Sequence, residues 1–274
     1  ILSGLVGSEM CIRDRRMSAH NPMTATYAMN AHQLGCRLAG QWVLKAISFD
    51  MEPGERIALV GANGSGKTTL LRVLNGLLKP DEGQLIWQHD MRKAMVFQRP
   101  HMMRCQVRHQ AALQLWLNAG APWSWSLRLP WQAWLSQADA VLARAGLLAA
   151  STQQAHTLSV GQRQRLAFAL ALASEPEVLL LDEPTANLDP QGKRDMEQAM
   201  DLAWQTALAS QAKSRPMTMI FSSHNLGQVK RLASRVLYLE RGALLADLST
   251  ERFFNDDLSR SHPEAHFFLK GERT

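Results

Sequence analysis

The chain has 274 residues, 46% of them apolar and 20% charged, the composition of an ordinary globular protein of one large domain or two small ones. Its longest apolar stretches, such as Leu166 to Ala173 and Val178 to Leu181, fall far short of the roughly 20 residues that a membrane-crossing helix needs, so any membrane role is expected to depend on a separate protein that provides the spans. The formal charge of +6 would suit nucleic acid or anionic lipid, but the basic residues are scattered, no block of five like charges occurs, and no nucleic-acid partner is expected.

Residues 1–16 are set aside from fold reasoning. The run Gly7-Ser8-Glu9-Met10-Cys11-Ile12-Arg13-Asp14-Arg15 resembles the in-frame translation of a sequencing adapter, which places the expected native start at Met17 or Met23. A signal peptide over Ile1 to Val6 would lack a preceding basic region and enough apolar length. No lipidation motif or terminal anchor is apparent, and a cytoplasmic location is expected. Cys11, Cys36 and Cys105 have no C-x-x-C spacing, so they give neither a zinc signature nor a disulfide framework, as suits a reducing compartment.

Short alternating stretches at Ala25 to Met29, Gln33 to Leu38 and Val43 to Met51 predict antiparallel strands. After the Pro53-Gly54 turn, Arg56-Ile57-Ala58-Leu59-Val60 is a continuous apolar run too short for a helix, and it predicts a buried parallel strand. It runs into the glycine-rich segment Gly61 to Thr68 and then into a helix over Thr69 to Leu77, with leucines at 70, 71, 74 and 77. Between Arg99 and Ala155 the composition changes: Trp116, Trp123, Trp125, Trp131 and Trp134 cluster around Pro122 and Pro130, and two or three helices are predicted. Most of these tryptophans are expected to fill a small helical core; an exposed remainder would suit a partner surface. From Ser159 onward the prediction is helix (160–173), strand (178–181), helix (191–209), strand (217–221) and helix (226–234), an alternation that implies a parallel sheet covered by helices. A hairpin of Val236 to Leu239 and Ala243 to Leu248 and a polar tail with four phenylalanines follow.

The segment Gly61 to Thr68 fits G-x-x-x-x-G-K-[ST], in which glycines let successive backbone N–H groups converge on phosphate oxygens. Lys67 would then reach the β- and γ-phosphates, Thr68 would bind Mg²⁺, and the helix N-terminus would add partial positive charge. Val178 to Leu181 ends in Asp182-Glu183, which puts two carboxylates at the C-terminal edge of the sheet, where Asp182 would hold the metal and Glu183 would orient or deprotonate a water. Beside a phosphate loop this outweighs the alternative of a simple helix cap with Pro184 in its first turn.

Leu158-Ser159-Val160-Gly161-Gln162 resembles the signature motif of ABC ATPases, and Ser159 lies 23 residues before Asp182, as in that family. Gln98 resembles its Q-loop glutamine, Ala186-Asn187-Leu188-Asp189 its D-loop, and His224 its switch histidine. The resemblance covers roughly Gln33 to Leu248. It implies an α/β fold: a P-loop NTPase core with a mainly parallel sheet, an N-terminal antiparallel β subdomain and an inserted helical subdomain at about 99–175. The domain would span 17–249, followed by a tail at 250–274.

The family likeness further implies ATP bound with Mg²⁺. The nucleotide would be held by Gly61, Asn63, Gly64, Ser65, Gly66, Lys67, Thr68 and Thr69, the metal by Thr68, Gln98 and Asp182, and catalysis would use Glu183, His224 and Gln98. It implies a head-to-tail homodimer in which Ser159, Gly161 and Gln162 of the partner cover the nucleotide. The dimer would sit on a transmembrane permease at the inner face of the cell membrane, supplied by a solute-binding protein. Two departures stand out: Val160 replaces the commonest signature glycine, and the aromatic that stacks on adenine aligns with Leu38, unless a register shift lets Trp42 substitute. The runs Phe97-Gln98-Arg99-Pro100 and Ser222-Ser223-His224-Asn225-Leu226-Gly227-Gln228, with Phe253-Phe254 and Pro263-Glu264-Ala265, are similar to oxyanion importers, tungstate first, then phosphate or molybdate. A regulatory cassette that moves no solute is the alternative. Ribosome-acting relatives carry two cassettes and DNA-repair relatives a long coiled coil, and neither is present.

Overall fold

The computed structural model describes residues 27–119, 131–209 and 216–271. The adapter-like run, the start of the Ala25 stretch, Pro122, Trp123, Trp125 and Pro130 lie outside them. Strands β1 (Met29–Leu38) and β2 (Gln41–Met51) form a long antiparallel ribbon, and β4 (Glu82–Trp87) pairs along the other edge of β1. The turn residues Ala39 and Gly40 both take positive φ, 49° and 79°, the conformation whose twist matches a tight hairpin. Where the sequence breaks into separate stretches, β1 is continuous. Its alternation is interrupted at Gln33, φ 52°, and that of β2 at Ala46, φ 50°, with register shifts nearby. Strand β4 has no counterpart among the predicted elements: it is short, half-polar and contains Gly83, so it carries little periodic signal.

The second sheet has the order β5-β6-β7-β3-β8-β9, built from β3 (Arg56–Val60), β5 (Lys93–Val96), β6 (Val178–Leu181), β7 (Thr218–Ser222), β8 (Arg235–Glu240) and β9 (Ala243–Ser249). Its first five strands run parallel and only β9 is antiparallel. The uninterrupted apolar runs of β3 and β6 are buried because the sheet is covered on both faces. On one face, the ribbon and helix α1 (Lys67–Leu74) close a core through Leu44, Ile47, Leu70, Leu71, Leu180 and Ile220. On the other, helices α4 (Val160–Ala173), α5 (Pro190–Ala209) and α6 (Leu226–Leu232) pack through Phe168, Met196, Met200, Phe221 and Val229.

A third core joins α2 (Val107–Asn118) and α3 (Trp131–Arg144) to Leu166 and Leu170 of α4. Trp134 is buried in it and Trp116 packs at its margin, whereas Trp131 is exposed. Helix α1 starts two residues earlier than predicted, directly after Gly66 in the left-handed region at φ 105°. It also ends three residues earlier. Gly76 (φ 81°) closes it: the Gly76 N–H donates to Val73 O and the Leu77 N–H to Arg72 O, a Schellman stop that leaves Leu77 exposed.

The segment after β9 packs onto the sheet. Helices α7 (Thr250–Asn255) and α8 (Pro263–Leu269) bring Phe253 and Ala265 into the second core, the connection between them adds Leu258, and Phe268 lies against Tyr238. At the opposite edge of the sheet from the glycine loop, buried Arg235 ties β8 to β2 and β9. Its guanidinium donates to Asp247 at 2.6 Å and to Asp50 and Glu55 at 3.2 Å. Burial opposes the charge, but the Asp247 hydrogen bonds and the three carboxylates outweigh it and hold Arg235 protonated.

Candidate functional site

Parallel strands deliver all their C-termini to one edge, where the glycine loop, Gln98, the two carboxylates and His224 each begin within two residues of a strand end. Gly61 is one residue past β3, Gln98 two past β5, Asp182 and Glu183 one and two past β6, and His224 two past β7. The glycine loop therefore faces the carboxylates across the central strands. Gly61 has no room for a side chain, since a Cβ there would lie 2.0 Å from Leu239 O. At Gly66 a Cβ would meet Leu44 and Val43 O of the ribbon at 2.9 and 3.0 Å. Gly64 needs only its positive φ of 77°, and Asn63 beside it is exposed.

The loop is shaped for an anion. Lys67, 5% exposed, donates to Gly61 O at 2.8 Å and to Ala62 O at 3.0 Å, so its ammonium lies across the loop's own carbonyls. Burial lowers its pKa, while the Glu183 and Asp182 carboxylates push it back up. Ser65 Oγ is buried with no hydrogen-bond partner among the described residues. A buried hydroxyl without a partner costs free energy, and a phosphate oxygen in the cradle would supply one. Thr69 is buried in the first turn of α1.

Asp182 is 3% exposed, and its Oδ1 accepts from Thr68 Oγ1 at 3.0 Å and from Ser222 Oγ at 2.9 Å. Hydroxyl, carboxylate and amide oxygens are hard donors. Thr68 and Asp182, joined by a hydrogen bond, would suit Mg²⁺, which is ordinarily held by one or two carboxylates together with substrate phosphates, whereas Gln98, the third expected ligand, is hydrogen-bonded to Glu183. No group of three or more His, Cys, Asp or Glu side chains among the described residues makes an all-protein metal cage.

Glu183 adopts φ 45°, a left-handed conformation that a residue with a Cβ takes only when its surroundings hold it there. Here its N–H donates to Ser222 Oγ at 2.9 Å and its carbonyl accepts from Ala186 N at 3.1 Å. Gln98 Nε2 donates to Glu183 Oε2 at 2.8 Å, and His224 Nε2 contacts Glu183 Oε1. Both carboxylate oxygens are therefore engaged. A cavity of about 270 Å³ opens beside Glu183 and His224, lined also by Thr185, Ala186, Lys193, Ser223 and Asn225.

Lys67, Thr68, Asp182, Glu183, Gln98 and His224 thus come together, with Gln98 on Glu183. The signature residues form a separate group. Ser159 caps α4: its Oγ accepts from Gln162 N, and Gln162 Oε1 accepts from Ser159 N, a capping box. Gly161 packs near Leu188 of the D-loop, and Val160 is 44% exposed. Between this group and Gln98 lies a cleft of about 310 Å³ lined by Arg99, Pro100, Arg163 and Asn187. At the ribbon end, Leu38 is exposed, whereas the Trp42 ring lies under the Arg37 guanidinium at 4.0 Å. Sequence reasoning missed Ser222, which links Asp182 to the Glu183 backbone; its signal was a small hydroxyl residue ending the strand beside β6.

Phosphate loop, strand-end carboxylate pair and helical signature segment define an ATP-hydrolysing cassette. The sequence pattern of the family described as ABC transporter matches residues 44–186, and the chain belongs to that family as an ATP-binding ATPase subunit. Phosphate import ATP-binding protein PstB 2 of Natronomonas pharaonis is 34% identical over 251 residues, 85% of this chain and 83% of its own length. Arginine transport ATP-binding protein ArtM of Bacillus subtilis is 33% identical over 231 residues, 80% of this chain and 90% of its own length. The structure of CbiO1 from Clostridium perfringens, part of the transporter complex CbiONQ, superposes with a TM-score of 0.65 at 25% identity, covering 90% of this chain and all of CbiO1.

Proposed function

We propose that this chain is the ATPase subunit of an ABC importer and acts as a head-to-tail homodimer on a transmembrane permease at the inner face of the cell membrane. A separate solute-binding protein delivers an oxyanion, with tungstate the first candidate and phosphate or molybdate the alternatives. One observation carries the hydrolytic part: Glu183 sits beside the phosphate loop with its carboxylate between Gln98 and His224.

In this reading Lys67 leaves the Gly61 and Ala62 carbonyls to donate to the phosphates, and Ser65 Oγ and the loop N–H groups complete the cradle. Thr68 and Asp182, with Gln98 nearby, would hold Mg²⁺, and the ion would supply charge neutralisation at the β- and γ-phosphates. Glu183 accepts a hydrogen bond from the attacking water and takes its proton. His224 steadies the γ-phosphate, and Leu38 gives adenine an apolar contact in place of a stacked ring. The N-terminus of α4 is exposed at Ser159 and Val160, which supports a composite site in which Ser159 and Gly161 face the partner's nucleotide.

The phosphate-import relative supports import and the oxyanion class, and the CbiO1 complex supports a membrane partner; the arginine-transport relative leaves the solute to experiment. No helix among the described residues is long and apolar enough to cross a membrane, in keeping with a separate permease. The test is uptake of labelled tungstate, phosphate and molybdate by cells carrying the chain with its co-purifying permease. Tungstate uptake that disappears with Glu183→Gln is expected. ATP hydrolysis with no uptake of any of the three would contradict the oxyanion assignment.

A further inference from the structure

We propose that Gln228, which lies behind the reaction cavity, is a positioning residue that sets the spacing between the loop carrying Glu183 and the loop carrying His224. Gln228 is fully buried near the start of α6, where its N–H donates to the Asn225 side chain at 3.1 Å. Its Oε1 accepts from two hydroxyls: Ser223 Oγ at 2.7 Å, one residue before His224, and Thr185 Oγ1 at 3.3 Å, two residues after Glu183. Ser223 Oγ in turn accepts from Asn225 N at 3.0 Å, which fixes the hydroxyl that reaches Gln228. One carbonyl oxygen therefore joins both loops, and Thr185 and Ser223 line the same cavity as Glu183 and His224.

The other half of the amide makes the case. Gln228 Nε2 is buried without a hydrogen-bond partner among the described residues. A buried donor left unpaired works against stability, and an apolar side chain of similar volume would avoid it. What glutamine supplies here is the acceptor that holds two loops in register. Glu183 sits in a left-handed backbone conformation that its neighbours must maintain, so the position of the Thr185 segment bears directly on where its carboxylate lies. A misplacement of about 1 Å at a reacting group can cost on the order of 100-fold in rate. The phosphate loop contacts none of Gln228, Thr185 or Ser223 through the hydrogen bonds described, so a change at this link is expected to act on turnover more than on nucleotide affinity.

The inference rests on Glu183 as the water-orienting group, and the experiment separates the two. Steady-state ATP hydrolysis and thermal melting are measured for full-length Gln228→Leu, Thr185→Val, their double variant and Glu183→Gln. The expected result is a fall in kcat of about 10-fold or more for Gln228→Leu, a smaller fall for Thr185→Val, and a KM for ATP that stays near wild type in both. Melting temperatures should not fall in proportion to activity. The double variant should be no slower than Gln228→Leu, because both substitutions cut the same link. Wild-type kcat in folded Gln228→Leu overturns the inference; should that variant fail to fold, wild-type kcat in Thr185→Val does so. Independent, additive losses also overturn it. A slow Glu183→Gln beside unaffected Gln228 and Thr185 variants removes the inference and leaves the role of Glu183 standing, whereas wild-type turnover in Glu183→Gln removes both.

Discussion

Glu183→Gln is expected to keep ATP affinity within a few-fold of wild type while kcat falls by roughly 100- to 1,000-fold, the loss that follows removal of a positioned general base. The substitution is conservative where it has to be. Glutamine retains the shape of the side chain and the same penalty at φ 45°, so the Ser222 and Ala186 hydrogen bonds to the backbone stay in place. The amide can still meet Gln98 or His224, but it cannot take a proton from water. Lys67 also loses one of the two carboxylates that offset its burial, a change that leaves Asp182 to sustain the ammonium. Single-turnover hydrolysis alongside equilibrium ATP binding checks both halves of the expectation. Unchanged turnover would remove Glu183 from the chemistry, and a large loss of affinity would place it in the cradle instead.

Lys67→Ala should act on binding. The ammonium is the one buried cation described in the loop, and it already donates to two carbonyls within the cradle. Exchange of those carbonyls for phosphate oxygens replaces neutral acceptors with charged ones, and charge-assisted hydrogen bonds contribute about 1.5–3 kcal/mol. The Kd for ATP should therefore rise about 10- to 100-fold. The fold should survive, because Lys67 lies at the start of α1 and the leucines of that helix carry its packing. Calorimetric titration with ATP, paired with a melting curve, tests this; a folded variant with wild-type affinity would contradict the cradle.

The parallel core was legible because burial on both faces writes β3 and β6 as unbroken apolar runs, and because the glycine loop and Asp182-Glu183 follow them directly. The N-terminal ribbon was less legible. Bulges at Gln33 and Ala46 break its period-two pattern, and the edge strand β4 has little of that pattern to read. The tail read as polar because α7 and α8 are each too short to establish a helical period, yet Ser249 caps one and Pro263 opens the other, and Phe253 is fully buried. Within the site, residue types pointed to Lys67, Thr68, Asp182 and Glu183. The supports at Ser222 and Gln228 depend on which strand ends lie side by side, and β7 next to β6 is a fact of topology rather than of local sequence. The capping box at Ser159 and Gln162 had a readable S-x-x-Q pattern, overshadowed by the expected role of the same residues toward a nucleotide.

The most direct measurement of the composite site is ATP hydrolysis by dimers mixed from Lys67→Ala and Ser159→Glu chains, isolated through two different tags. Each homodimer lacks a needed group at both sites and should be nearly inactive. The mixed dimer keeps one site with an intact Lys67 from one chain and an intact Ser159 from the other, so its turnover should rise well above that of either parent. A mixed dimer as slow as its parents would contradict a nucleotide shared between two chains.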